Sequence, residues 1–142
     1  MTVLFTDAHG QVLVVKPTYK QGWELPGGAV EDDESPRRAA AREVFEELHL
    51  HCVPGPVLAL DYVSAAASSA GTEGLVVVFD GGTLTQDPAA LQLASDELAA
   101  AMFADAVARE QRLPALQARR AAAALAARAT GRTVYLEDGH PR

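Results

Sequence analysis

Two short apolar runs open the chain, Val3-Leu4-Phe5 and Val12-Leu13-Val14-Val15, on either side of the polar stretch Asp7-Ala8-His9-Gly10. Apolar runs joined through such a turn predict a β-hairpin. Lys16 to Trp23 holds Pro17 and Gly22 and has no periodicity, so it reads as a loop leading into Glu24-Leu25-Pro26-Gly27-Gly28. Ser35-Pro36 then sets a preferred N-cap residue before a proline at the first helical position, and a helix is predicted from Pro36 to Leu48. At roughly 100° per residue, Glu43, Glu46 and Glu47 share an arc of about 100°, while Ala41, Val44, Phe45 and Leu48 fill the side opposite.

Pro54-Gly55-Pro56 interrupts the chain before Val57 to Val63, a predicted strand, and Ser64 to Gly74 follows as a loop of small residues. Leu75 to Phe79 is continuously apolar, as in a central strand covered on both faces, and stops at Asp80-Gly81-Gly82. Thr85 to Ser95 reads as a connection. Leu98 to Phe103 suits a short strand, with a helical turn as the other option, because alanine-rich segments discriminate poorly. Leu113-Pro114 opens an Ala- and Arg-rich helix that Thr130-Gly131 closes, and Thr133 to Leu136 is a strand-like tail. Packing on the sheet or against a second copy in a homodimer would both occupy that helix. No repeat or composition break divides the chain, so residues 1–142 are expected to form a single domain. Helices alternating with strands predict an α/β fold with a mixed β-sheet between helical layers.

Composition alters this picture in three respects. Of the 142 residues 28 are alanine, so a hydrophobic content of 49% overstates the bulk of the core, although the length suffices for one. No apolar run reaches membrane-spanning length, the N-terminus lacks a basic-then-apolar signal, and Cys52 alone permits no internal disulfide; a cytoplasmic location is expected. A net charge of −7 argues against a nucleic acid polymer or an anionic membrane as partner. It leaves room for a small anionic substrate, because a bound metal would reverse the local sign.

The charge is concentrated. Glu31, Asp32, Asp33, Glu34, Glu43, Glu46 and Glu47 place seven carboxylates within seventeen residues. Glu43 and Glu47 are a like-charge i,i+4 pair toward the negative end of the helix dipole, each such effect costing about 0.3–1 kcal/mol. Two readings account for the pattern: a solvated acidic face, or oxygen ligands for a hard cation such as Mg²⁺. The spacing narrows the choice, for Gly28 is followed by five residues, Glu34, seven residues, and then Arg42-Glu43-Val44-Phe45-Glu46-Glu47-Leu48-His49-Leu50. This resembles the Nudix box, the signature of Nudix hydrolases. Seven of eight fixed or apolar box positions after Gly28 agree, namely Glu34, Arg42, Glu43, Val44, Glu46, Glu47 and Leu50; His49 stands where the family has Gly.

The resemblance implies an α/β/α sandwich with the box as loop-helix-loop. It further implies a metal-dependent pyrophosphohydrolase acting on a nucleoside diphosphate linked to another moiety, with Mg²⁺ or Mn²⁺ as cofactor. By the same resemblance Glu46 and Glu47 are the principal metal ligands, Glu43 is a further ligand or orients the water, and the Gly27 carbonyl completes the shell. Arg42 is expected to hold the glutamates by ion pairing, Glu34 to brace the box loop, and Gly28 to be needed for its backbone conformation. The base that takes a proton from water lies outside the box in parts of the family; Glu97 is the candidate here, with Asp96 and Glu73 as alternatives. In similar proteins the loop before the box borders the substrate cleft. Lys20 is therefore a candidate phosphate contact, and Tyr19 and Trp23 candidate base contacts, against plainer roles as a surface charge and as core or rim aromatics. Ala65 and Ala67 occupy positions where ADP-ribose hydrolases carry a Pro and dinucleoside polyphosphate hydrolases a Tyr, so the substrate stays open. The opposing function class is a non-catalytic Nudix-like module that senses a nucleotide or nucleotide sugar. Such a module would have no need of the whole Arg42, Glu43, Glu46 and Glu47 set.

Overall fold

The computed structural model describes residues 1–142. In chain order the elements are β1 (Thr2–Thr6), β2 (Val12–Pro17), α1 (Pro36–Leu48), β3 (Val57–Val63), β4 (Gly74–Thr83), β5 (Leu98–Ala104), α2 (Ala106–Arg112), α3 (Ala115–Thr130), β6 (Val134–Glu137) and β7 (His140–Pro141). The strands form a seven-stranded sheet in the order β5-β2-β1-β4-β3-β6-β7. It is mixed, with β1 and β4 parallel and β3 and β6 parallel, the other pairs being antiparallel. The β1–β2 hairpin turns through Asp7, whose Oδ1 accepts from the backbone N–H groups of His9 and Gln11 at 2.8 Å each.

Alternation along the strands divides the core in two. Val3, Phe5, Leu13 and Val15 pack with Ala40, Val44 and Leu48 of α1. Leu4, Val12 and Val14 pack on the other face with Ala121, Ala124 and Ala127 of α3. The sheet is thus sandwiched between α1 and α3, which is the α/β/α arrangement expected. The alanine count finds its use here, since small side chains let α3 lie close on the sheet.

Three local outcomes refine the expectations. Leu98 to Ala104 is a strand, paired with β2 from Val12↔Ala104 to Pro17↔Leu98. The strand β4 does not stop at Phe79 but continues to Thr83. A Cβ at Gly81 would lie 2.5 Å from the Phe5 ring, so this glycine admits Phe5 against the strand instead of ending it. The short helix α2 was not anticipated; Asp105 caps it, accepting from Ala108 N–H at 2.8 Å. No helix is long and apolar enough to cross a membrane.

Helix α1 has the predicted bounds, with Ser35 Oγ accepting from Arg38 N–H at 3.3 Å. At its other end His49 takes the left-handed conformation, φ 51° and ψ 32°, the place a glycine fills in the family. The imidazole offsets the strain: Nδ1–H donates to the Gln92 carbonyl at 2.7 Å, and the ring lies 5.7 Å from that of Phe45. Left-handed strain in a non-glycine residue costs roughly 1–2 kcal/mol, and a hydrogen bond returns about 1 kcal/mol. His49→Gly is therefore expected to leave the melting temperature within a few degrees of wild type, with Mn²⁺ affinity and turnover unchanged. Calorimetric titration with Mn²⁺ checks this, and a clear loss of binding would give His49 a part in the metal binding that the box resemblance implies.

Candidate active site

The box loop is fastened to the sheet before it meets the helix. Val3 N–H donates to the Pro26 carbonyl at 2.9 Å, and Thr2 and Gly27 form an antiparallel bridge. From α1, Arg42 reaches back over this loop. Its Nε and Nη2 donate to both oxygens of Glu34 at 3.0 and 2.8 Å, and Nη2 also donates to the Ala29 carbonyl at 3.1 Å. Nη1 donates to Glu43 Oε1 at 3.0 Å and Glu46 Oε2 at 2.9 Å. One guanidinium thereby ties the loop to the helix and gathers two of the helix carboxylates. Hydrogen bonding to Arg42 holds the Glu34 carboxyl below its usual range.

Glu47 is treated differently. Its residue exposure is 5%, it has no cationic partner within the protein, and its Oε2 accepts from Gly27 N–H at 2.9 Å. Burial, opposed by that N–H and reinforced by the charges of Glu43, Glu24 and Glu97, pushes its carboxyl up to about 8. Glu43 is also raised by burial, against the pull of Arg42. The Glu46 side chain is 48% exposed.

The three glutamates do not close around one point in this conformation: Glu43 and Glu46 turn to Arg42 while Glu47 turns to Gly27. Their chemistry nevertheless fits a hard divalent cation, because the donors are carboxylate and carbonyl oxygens and one of them is a buried carboxylate without a counter-charge.

The two glycines of the box have separate reasons. Gly27 adopts φ +139°, and a Cβ there would meet Met1 O at 2.4 Å and Thr2 Cα at 2.8 Å. Gly28 has no positive φ, which corrects the expectation that it serves a special backbone conformation. Its hydrogen leaves room for the Glu43 carboxylate, whose atoms lie 2.4–2.6 Å from where a Cβ would stand. Gly28→Ala should accordingly displace Glu43 and lower kcat by on the order of 10²-fold with little change in melting temperature. Gly27→Ala, meeting backbone that cannot swing away, should instead destabilise by roughly 1–3 kcal/mol. Paired melting curves and turnover numbers separate the two; a Gly28→Ala variant with normal kcat would show that Glu43 is free to move.

Comparison with known proteins bears on this constellation. The NUDIX domain pattern matches residues 1–126. The chain belongs to the Nudix family. Over 48 residues it is 38% identical to an RNA pyrophosphohydrolase of Vibrio cholerae, a match that covers 34% of this chain and spans only 28% of that relative's length. Among solved structures, the MutT protein from Methanosarcina mazei Go1 is similar, with 26% identity and a TM-score of 0.67 over 80% of this chain and 82% of that one. A NUDIX hydrolase from Nitrosomonas europaea shares the fold at a TM-score of 0.69 and 20% identity, covering 99% of this chain and 89% of its own.

In this Nudix chain the box opens onto a cleft that Tyr19 and Lys20 line together with Gly27 and Gly28. Lys20 Nζ lies 2.6 Å from Glu24 Oε2 and 5.6 Å from the Tyr19 ring centroid. Trp23 is not brought into the cleft. Its ring packs against the core on the α3 side, with the Arg112 guanidinium 5.3 Å from the ring centroid. Glu97 is exposed; its charge bears weakly on Glu43 and Glu47, and its loop is tied to α1 through Ala94 N–H and the Glu47 carbonyl at 3.0 Å. Glu73 instead accepts from the Tyr62 hydroxyl at 2.7 Å. The far wall of the cleft comes from residues that sequence reasoning passed over, Gln117 and Arg120 of α3. The signal for Arg120 was Asp61, a carboxylate in the apolar strand Val57–Val63 that required a buried partner.

Proposed function

We propose that this Nudix chain is a divalent-metal-dependent pyrophosphohydrolase that cleaves a diphosphate linkage in a nucleoside diphosphate joined to another moiety. The observation that carries this reading is the pairing of two opposite arrangements on one helix. Arg42 pairs with Glu34, Glu43 and Glu46, while Glu47, one turn on from Glu43, is buried beside them without any cation. A helix built for stability alone would not desolvate an unpaired carboxylate there.

A diphosphate linkage is shielded by its own negative oxygens. Mg²⁺ or Mn²⁺, held by Glu46 and Glu47 with Glu43 and the Gly27 carbonyl, would offset that charge and make a bound water more acidic. The chain's own residues do the rest. Arg42 keeps the carboxylates of Glu43 and Glu46 in place, and Gly27 N–H fixes the direction of Glu47. Glu97 accepts the proton of the attacking water from the loop opposite α1. Lys20 at the rim contacts phosphate, and Tyr19 offers a face to the base. The partner is a small molecule and the setting the cytoplasm.

The test is a panel of nucleoside triphosphates, dinucleoside polyphosphates and nucleoside diphosphate sugars, incubated with Mg²⁺ or Mn²⁺ while released phosphate and nucleoside monophosphate are measured. Hydrolysis that yields a nucleoside monophosphate and stops on adding chelator is expected. No hydrolysis across the panel, with tight metal-independent binding of a nucleotide sugar, would replace this reading with that of a sensing module.

A further inference from the structure

Two cavities meet at the start of α3. One is the cleft before the box glycines, about 260 Å³, and the other, about 340 Å³, lies between the Ser64–Gly74 loop and α3. Val76, Gln117 and Arg120 line both, so the second space continues the first.

Arg120 is 6% exposed, yet it is only partly satisfied. Its Nε donates to Oδ2 of Asp61 at 2.7 Å, and Asp61, fully buried, spends its other oxygen on Gly139 N–H at 3.0 Å. Both terminal amino groups of the guanidinium are without a protein acceptor. A guanidinium offers donors only, and these terminal nitrogens keep some solvent contact, so they are free to donate into the cavity. The side chain is thus anchored on one edge and open on the other, at the junction of the two cavities.

The second cavity has its own chemistry. Ser68, Ser69, Thr72, Glu73 and Gln117 bring hydroxyls, a carboxylate and an amide to its wall, and no aromatic side chain lines it. A nucleobase site draws on stacking worth about 1–3 kcal/mol per base, and the aromatic residue available for that, Tyr19, stands in the first cleft. Hydroxyls, a carboxylate and an amide lining one pocket suit a group that both donates and accepts hydrogen bonds.

We infer that the second cavity receives the glycosyl unit of a nucleoside diphosphate sugar, and that Arg120, held by Asp61, donates to the oxygens where that sugar joins the diphosphate. This rests on the reading of the box as a diphosphate-cleaving site. The diphosphate lies before Gly27 and Gly28, the base lies toward Tyr19, and the sugar passes Arg120 into the pocket under the Ser64–Gly74 loop. Asp61 is then a positioning residue and Arg120 a determinant of specificity.

Steady-state kinetics on ADP-ribose and UDP-glucose, with a nucleoside triphosphate as reference, test it. Removing Arg120 alone would strand a buried carboxylate, so Arg120→Met is made together with Asp61→Leu. Gln117→Glu, which sets a carboxylate beside Arg120 without disturbing Asp61, is the second variant and remains informative if the double variant does not fold. Wild type is expected to favour at least one of the two diphosphate sugars over the triphosphate by tenfold or more in kcat/KM. Each variant should raise the KM for that sugar tenfold or more with kcat within about threefold, lowering the preference ratio accordingly. An unchanged ratio in a folded variant, with wild type active, overturns the inference and leaves the proposed hydrolysis standing. A wild type that cleaves no diphosphate at all overturns both.

Discussion

Glu46→Gln and Glu47→Gln are each expected to lower kcat by about 10²–10³-fold while the protein stays folded. Glutamine keeps the size of the side chain and an oxygen that can still accept from Arg42 or from Gly27 N–H. What is lost is one negative charge on the face where the cation is proposed to sit. Because that charge acts on the ion that stabilises the transition state, the loss should fall on kcat more than on KM. Calorimetric titration should show weakened Mn²⁺ binding in both variants. The surroundings make the two positions unequal in one respect: Glu46 is half exposed and already paired with Arg42, whereas Glu47 is buried and unpaired. The affinity loss should therefore be larger for Glu47→Gln. Near-normal turnover in Glu46→Gln would mean that the chemistry happens away from α1.

What could be read in the sequence was whatever rests on local rules. Ser35-Pro36 set the start of α1, and the hydrophobic spacing set its length, because capping and periodicity act within a few residues. Of the predicted apolar side Val44 and Leu48 are buried, whereas Phe45 is exposed and Glu47, placed on the acidic side, is buried with Ala39 and Ala40. The ion-pairing role of Arg42 was implied by the resemblance of the box and not by local rules, and in the structure Arg42 pairs with Glu34, Glu43 and Glu46. What escaped depends on contacts between distant segments. The Gly81 position reads as a breaker until Phe5, from another strand, is seen to need the space. Trp23 sits three residues from the box turn yet points to the opposite side of the sheet, a direction that loop sequence does not encode. The helix α3 is dominated by alanines and arginines, and nothing in that composition tells Arg120, sunk onto Asp61, from Arg119, which reaches the Asp138 carbonyl. The separate demands on Gly27 and Gly28 likewise appear only once β1 and Glu43 are in place.

In chelator, Glu47→Gln should melt higher than wild type at neutral pH, and the difference should vanish in acid. Burial raises the Glu47 carboxyl from its ordinary 4.5 to about 8 in the folded, metal-free protein. The folded state therefore holds this proton more tightly than the unfolded chain does, and the sign follows from linkage. Stability from this group is complete below about 4.5, declines through the interval, and is fully lost above about 8. At about 1.4 kcal/mol per unit of pH, the cost at neutral pH is on the order of 3 kcal/mol. Glutamine resembles the protonated acid and should recover most of it, since its oxygen can keep the bond from Gly27 N–H. Denaturant melts in EDTA at pH 4.5, 6 and 7.5 give the profile for wild type and variant. Mn²⁺ should invert the order at neutral pH, because the ionised wild-type carboxylate gains a partner that glutamine cannot hold as well. If wild type and Glu47→Gln run parallel across this range in EDTA, Glu47 is solvated in the folded protein, and the buried carboxyl without a counter-charge on which the metal-site reading stands is not there.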